Sequence, residues 1–104
     1  MIKTLIVDDE HLARRGLEIR LAGFDDVEVV GQSRNGREAL EHVEQFQPNL
    51  MLLDVQMPGM SGFDVLRRLS MRRRCVQQFE IWTLGTPNAA HFQGDIAGYA
   101  VESP

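Results

Sequence analysis

Three short apolar runs, each followed by an amphipathic stretch, constrain this chain more than any other feature. The first, Leu5-Ile6-Val7, stops at Asp8-Asp9. A continuous apolar run of that length suits a strand buried on both faces. Ala13, Leu17 and Leu21 then recur every four residues, with Leu12 and Ile19 widening the stripe. That spacing predicts an amphipathic helix ending before Gly23. Val27-Glu28-Val29-Val30 reads as a second strand, closed by Gly31. Asn35 can cap a second helix, with Glu38 three residues on and Ala39, Leu40, Val43 and Phe46 as its apolar face; Pro48 ends that region. Leu50-Met51-Leu52-Leu53 is a third buried run and stops at Asp54. Ser61-Gly62-Phe63-Asp64 has the spacing of a capping box, opening a helix through Leu69 with Phe63, Leu66 and Leu69 inward. Strand followed by helix three times, with short connections, implies right-handed parallel crossovers and an α/β sheet covered on both faces.

Beyond Ser70 the texture changes. Met71-Arg72-Arg73-Arg74-Cys75 is a basic run without an apolar stripe, read as a solvated segment. Phe79 to Leu84 alternates weakly and predicts a fourth strand. Gly85-Thr86-Pro87-Asn88 is turn chemistry, Ala89 to Phe92 is too short for a helix, and Ile96 to Val101 is a fifth strand weakened by Gly98. The 104 residues allow a single domain. A net charge of −4 argues against a nucleic-acid footprint, which usually needs a basic excess. No apolar run approaches the roughly 18 residues of a membrane span. One cysteine, Cys75, permits no internal disulfide and has no activating neighbours in sequence, so it reads as an inert thiol. With an N-terminus charged too early for a signal peptide, the expectation is a soluble cytoplasmic protein.

Open parallel sheets place their sites outside the carboxyl ends of the strands. Asp8 and Asp9 end the first strand and Asp54 ends the third. If those strands are neighbours, about 4.8 Å apart, the three acids converge. A lone Asp at a strand end is normally a turn former or a cap. Three gathered together repel one another, and a hard divalent cation is the natural answer. Mg²⁺ takes oxygen ligands and keeps several waters. Asp9 and Asp54 can ligate it directly, Asp8 through water, and the backbone carbonyl of Gln56 can add a ligand. His11 is read as an exposed surface residue, His42 as lying at the solvent edge of the second helix, and Met51 as core.

Leu5-Ile6-Val7-Asp8-Asp9-Glu10, taken together with Asp54-Val55-Gln56-Met57-Pro58-Gly59-Met60-Ser61-Gly62, resembles the receiver domain of bacterial two-component response regulators. The resemblance runs from Met1 to about residue 70. Glu10-His11-Leu12-Ala13-Arg14 is most similar to regulators with a LytTR-type DNA-binding output domain. The resemblance implies a flavodoxin-like doubly wound parallel sheet of order 2-1-3-4-5, its C-terminal part incomplete or degenerate. It implies that Asp54 accepts a phosphoryl group from a sensor histidine kinase, with Mg²⁺ held by Asp8, Asp9 and Asp54. The domain would be a self-phosphorylating acceptor rather than a turnover enzyme.

The tail, residues 71–104, departs from that pattern. Receivers carry a Thr or Ser at the end of the fourth strand; Thr83 is nearest to that place, with Thr86 second. They carry a Lys-Pro at the end of the fifth. The only lysine is Lys3, before the first strand, and Glu102 falls near the expected lysine position. Either the tail is a diverged receiver end or the reading frame was displaced near Ser70. The second alternative makes the chain a pseudo-receiver that only binds proteins, without phosphorylation-driven switching or regulated homodimerisation. No output domain follows, so no DNA binding by this chain is expected. A haloacid-dehalogenase-like phosphatase needs a second Asp two residues after the first, where Gln56 stands. A P-loop NTPase needs a glycine-rich loop ending in Lys, which is absent.

Overall fold

The computed structural model describes residues 1–71, 80–84 and 91–92. Its elements are β1 (Ile2–Val7), α1 (His11–Leu21), β2 (Val27–Ser33), α2 (Gly36–Phe46), β3 (Leu50–Asp54), α3 (Gly62–Met71), β4 (Glu80–Leu84) and β5 (His91–Phe92). The sheet order is β2-β1-β3-β4-β5. β1 pairs in parallel with β2 and β3, and β3 with β4. The α/β class and the strand order are those expected from the sequence.

β5 falls on His91–Phe92, where the sequence reading places no strand. It runs antiparallel to β4, pairing Ile81 with Phe92 and Trp82 with His91. Only residues 85–90 join the two strands. A parallel return needs a crossover of about a dozen residues, so this connection permits only a reversal. The strand expected over Ile96–Val101 lies outside the described residues, as do the Arg72–Arg74 run, Cys75, Thr86 and Glu102.

Alternation along β1 and β3 sends Leu5, Val7, Met51 and Leu53 to one face, where they meet Ala39, Leu40 and Val43 of α2 and Val65, Leu66 and Leu69 of α3. All of these are buried. The other face carries Ile6, fully buried, and Leu50 and Leu52, only half-buried; α1 lies over this face against β1 and β2. No residue of α1 is fully buried. Among the described residues, one helix covers that face and two cover the other.

Three expected inward residues point outward instead. Leu12 and Ile19 are 80% and 61% exposed, and Phe63 is 48% exposed. At 3.6 residues per turn, Leu12 and Ile19 lie roughly 100–120° from the Ala13 position, on the far side from the Leu17–Leu21 stripe. In α3 the inward seam is Val65, Leu66 and Leu69, and Phe63 falls beside it.

The helix boundaries follow from local chemistry. The Asn35 side chain accepts from the Glu38 N–H at 2.8 Å, closing the first turn of α2. Gln47 adopts the left-handed conformation at the other end (φ 47°), its N–H bonded to the Val43 carbonyl, and Pro48 follows. At α3, Ser61 Oγ accepts from the Asp64 N–H at 3.2 Å while Asp64 Oδ2 accepts from the Ser61 N–H at 3.1 Å, the reciprocal pair of a capping box. Asn35→Ala is expected to cost about 1 kcal/mol, read as a lower urea midpoint at an unchanged slope. An unchanged midpoint would show that the cap contributes nothing to stability.

Candidate functional site

The register Val7↔Leu53 brings the carboxyl ends of β1 and β3 side by side. Asp8 and Asp9 leave β1 there, and Asp54 ends β3. One carboxylate oxygen from each of the three lies within 4.8 Å of the others. Asp8 is buried, Asp54 partly buried and Asp9 exposed. The convergence expected from the sequence is therefore present.

Each acid is held differently. The Asp8 N–H donates to the Ser33 carbonyl at 3.0 Å, and Asp8 Oδ1 accepts from the Glu10 N–H at 2.9 Å. The Asp8 carbonyl accepts from Arg14 Nη1 at 2.7 Å. Asp54 Oδ1 accepts from the Gln56 N–H at 2.9 Å. Asp9 makes no side-chain hydrogen bond among the described residues. Burial pushes the Asp54 carboxyl above its ordinary value; the Gln56 N–H opposes this, and the charges of Asp8 and Asp9 add to it. A carboxylate desolvated beside two others is an anionic pocket in want of a cation. Three hard oxygen donors, with no sulfur or imidazole among them, suit Mg²⁺.

The loop after β3 is fixed by Gly62. A Cβ there would lie 2.6 Å from the Val55 Cα and 2.7 Å from the Asp54 carbonyl oxygen. The Gly62 N–H also donates to the Val55 carbonyl at 3.2 Å. The first residue of α3 thus rests directly on the backbone of the residue carrying the third carboxylate. Met60 packs over Gly36 at the start of α2, which holds the same loop from the other side.

Gln56 is adjacent to the acids, and its N–H rather than its carbonyl has a partner there. Thr83 stands opposite Leu53 in the register, one residue short of Leu84, the partner of Asp54. His11 is exposed, as expected. His42 is half-buried at the edge of α2, as expected, and it also has partners: its Nδ1 lies 2.7 Å from the Oγ of Ser33, which is fully buried, and its ring sits 5.4 Å from that of Phe46. The turn of α2 that buries Val43 also brings His42 over the end of β2.

Sequence reasoning missed three contributors: Arg14, Ser33 and the close approach of Gly62. The signal for Arg14 was its place one helical turn beyond the acid pair. For Gly62 it was a glycine at the first helical position, where any good helix former would otherwise serve.

A family model described as the response regulator receiver domain matches residues 4–93. The transcriptional regulatory protein BtsR of Salmonella typhi is 47% identical over 74 residues, covering 71% of this chain and 31% of that protein. The response regulator GacA of Pseudomonas syringae is 42% identical over 69 residues, covering 66% of this chain and 32% of that one. The chain spans about one third of the length of these curated relatives. The response regulator domain of Thermotoga maritima CheB superposes with a TM-score of 0.67 at 29% identity, covering 70% of this chain and 55% of that one. The relatives are response regulators of several kinds, and they do not single out a LytTR-type output. No helix among the described residues is long and apolar enough to cross a membrane.

Proposed function

This chain belongs to the response regulator receiver domain family, and on that premise we propose that Asp54 accepts a phosphoryl group from a phosphohistidine of a sensor kinase. The observation that carries the reading is the convergence of the Asp8, Asp9 and Asp54 carboxylates at the carboxyl ends of two adjacent strands. An Asp54 carboxylate oxygen forms the P–O bond as the P–N bond to the donor imidazole breaks. The electron pair returns to that nitrogen, and the product is an acyl phosphate that water later hydrolyses. One Asp54 oxygen is oriented by the Gln56 N–H, which leaves the other for phosphorus. Asp8, Asp9 and Asp54 would hold Mg²⁺, with the Gln56 carbonyl as a further donor. When bound, the ion supplies positive charge to offset that of the transferring group. Thr83, carried on β4 next to β3, is the proposed contact to the phosphoryl oxygens.

The reading makes the chain an acceptor domain in cytoplasmic signalling rather than a turnover enzyme. Exposed Leu12 and Ile19 on α1 support that helix as the kinase-docking face. The wording of residues 10–14 supports kinship with LytTR-output regulators, and binding to DNA is assigned to no part of this chain.

Incubation with acetyl phosphate and Mg²⁺ tests the proposal. The expected result is one phosphoryl group per chain, labile at alkaline pH as an acyl phosphate is. A chain that remains unmodified supports the alternative, a pseudo-receiver with no phosphoryl chemistry. Asp9→Ala is expected to weaken Mg²⁺ binding roughly tenfold or more, since even outer partners of a metal ligand matter on that scale. Unchanged affinity in a calorimetric titration would move the metal away from Asp9.

A further inference from the structure

We infer that Arg14 is a positioning residue for the metal-ligating acids, acting through the peptide that joins Asp8 to Asp9; this rests on the reading of the site given above. Asp9 is exposed and its carboxylate has no hydrogen-bond partner among the described residues. Its direction is therefore set by its own backbone. That backbone begins at the Asp8 carbonyl, and Arg14 Nη1 donates to that oxygen at 2.7 Å, the short distance of a charge-assisted bond. Asp8 is restrained at its other polar groups by the Ser33 carbonyl and the Glu10 N–H. Without Arg14, the peptide plane between the two acids keeps no side-chain restraint on its carbonyl side among the described residues.

The donor is well placed to act as a clamp. Arg14 lies on α1, its own N–H bonded to the Glu10 carbonyl at 3.1 Å, and its side chain is half-buried. The guanidinium is anchored by a helix that starts two residues after Asp9. Among the described residues, no other cationic side chain is hydrogen-bonded to Asp8, Asp9 or Asp54. Arg14 carries no ligand atom of its own. Its role is orientation, the task that outer partners perform for metal ligands generally.

A clamp and a bare charge predict opposite results. A positive charge beside a cation site repels the ion, so charge alone predicts tighter Mg²⁺ binding when Arg14 is removed. The clamp predicts weaker binding. The experiment is a Mg²⁺ titration of the full chain followed by amide chemical shifts of residues 8–10, with Arg14→Met and Arg14→Lys beside the wild type. Arg14→Met keeps the bulk and removes the donor. The expected dissociation constant for Arg14→Met is roughly tenfold higher than wild type, and Arg14→Lys, which keeps a cationic donor, should recover part of that loss. Circular dichroism of both variants separates a folding defect from a site defect. If Arg14→Met does not fold, Arg14→Leu, which also lacks a donor, takes its place, with a weakened affinity again expected. Equal or tighter binding by the donor-free variant, or a lysine variant no better than methionine, overturns the role of Arg14 alone. A wild-type chain that binds no Mg²⁺ overturns the proposed function itself.

Discussion

Asp54→Asn is expected to abolish phosphoryl uptake from acetyl phosphate at every Mg²⁺ concentration, and at the same time to raise the melting temperature in metal-free buffer at neutral pH. The first effect follows because an amide oxygen cannot form the acyl phosphate. The second follows from the cluster itself. Ionised Asp54 is desolvated and faces two further carboxylates, so the folded state carries an electrostatic cost that the unfolded chain does not. Asparagine keeps the acceptor for the Gln56 N–H and removes the charge. Added Mg²⁺ should stabilise the wild type more than the variant and narrow the gap, because only binding to the folded state shifts the equilibrium. Thermal melts with and without Mg²⁺, alongside intact-mass measurement, check all three statements. A variant that melts below the wild type without metal would mean that repulsion is not what characterises the site.

The same cluster fixes a slope against pH. The folded Asp54 carboxyl titrates above its ordinary value, so between the two values the folded chain holds a proton that the unfolded chain has released. Stability contributed by Asp54 therefore falls as pH rises through that window and is constant above it. Glu38 and Asp64 behave oppositely. The Arg34 and Ser61 N–H groups hold their carboxyls below the ordinary range, so their contributions are lost as pH falls through those lowered values. The difference between wild type and Asp54→Asn cancels these and leaves the Asp54 slope.

The strand–helix repeats and the acid cluster were legible because both rest on patterns local in sequence. Leu5-Ile6-Val7 and Leu50 to Leu53 can be buried strands only if flanked by helices, and acids that end such strands meet wherever the strands are neighbours. What was not legible depends on which helix lies over which strand. Leu12, Ile19 and Phe63 are apolar and near the stripe in a linear count, yet a helix seated on a sheet buries only about a third of its circumference. His42 found a partner in Ser33 because α2 crosses the end of β2, a relation that no local pattern contains. Arg14 likewise gains its meaning from the carbonyl it reaches and not from its neighbours in the chain. The short β5 was hidden for a different reason: the turn chemistry after Leu84 is visible, but His91–Phe92 is too short to carry a strand pattern of its own.

Gly62→Ala is expected to be the most damaging conservative change in the described part of the chain. The added methyl would sit 2.6 Å from the Val55 Cα and 2.7 Å from the Asp54 carbonyl oxygen, both main-chain atoms that cannot rotate away. Overpacking of this kind costs about 1–3 kcal/mol, and a backbone neighbour places it at the upper end. For a domain of this size each kcal/mol lowers the melting temperature by about 4–8 °C. Two other glycines calibrate the result. At Gly36 the methyl meets Met60, whose sulfur at 2.6 Å can turn aside but whose Cβ at 2.9 Å moves only with its backbone, so Gly36→Ala should also destabilise, though by less than a change that strikes main-chain atoms at 2.6 and 2.7 Å. At Gly16, inside α1, nothing lies within 4 Å, and alanine should stabilise by about 0.5–1 kcal/mol through helix propensity alone. The expected order of melting temperatures is Gly16→Ala above wild type, then Gly36→Ala, then Gly62→Ala. The last should also slow phosphoryl uptake, because the methyl is relieved only by shifting the peptide that carries Asp54. A Gly62→Ala chain that melts with the wild type would show that the contact between α3 and β3 yields freely, and that the position of Asp54 does not depend on it.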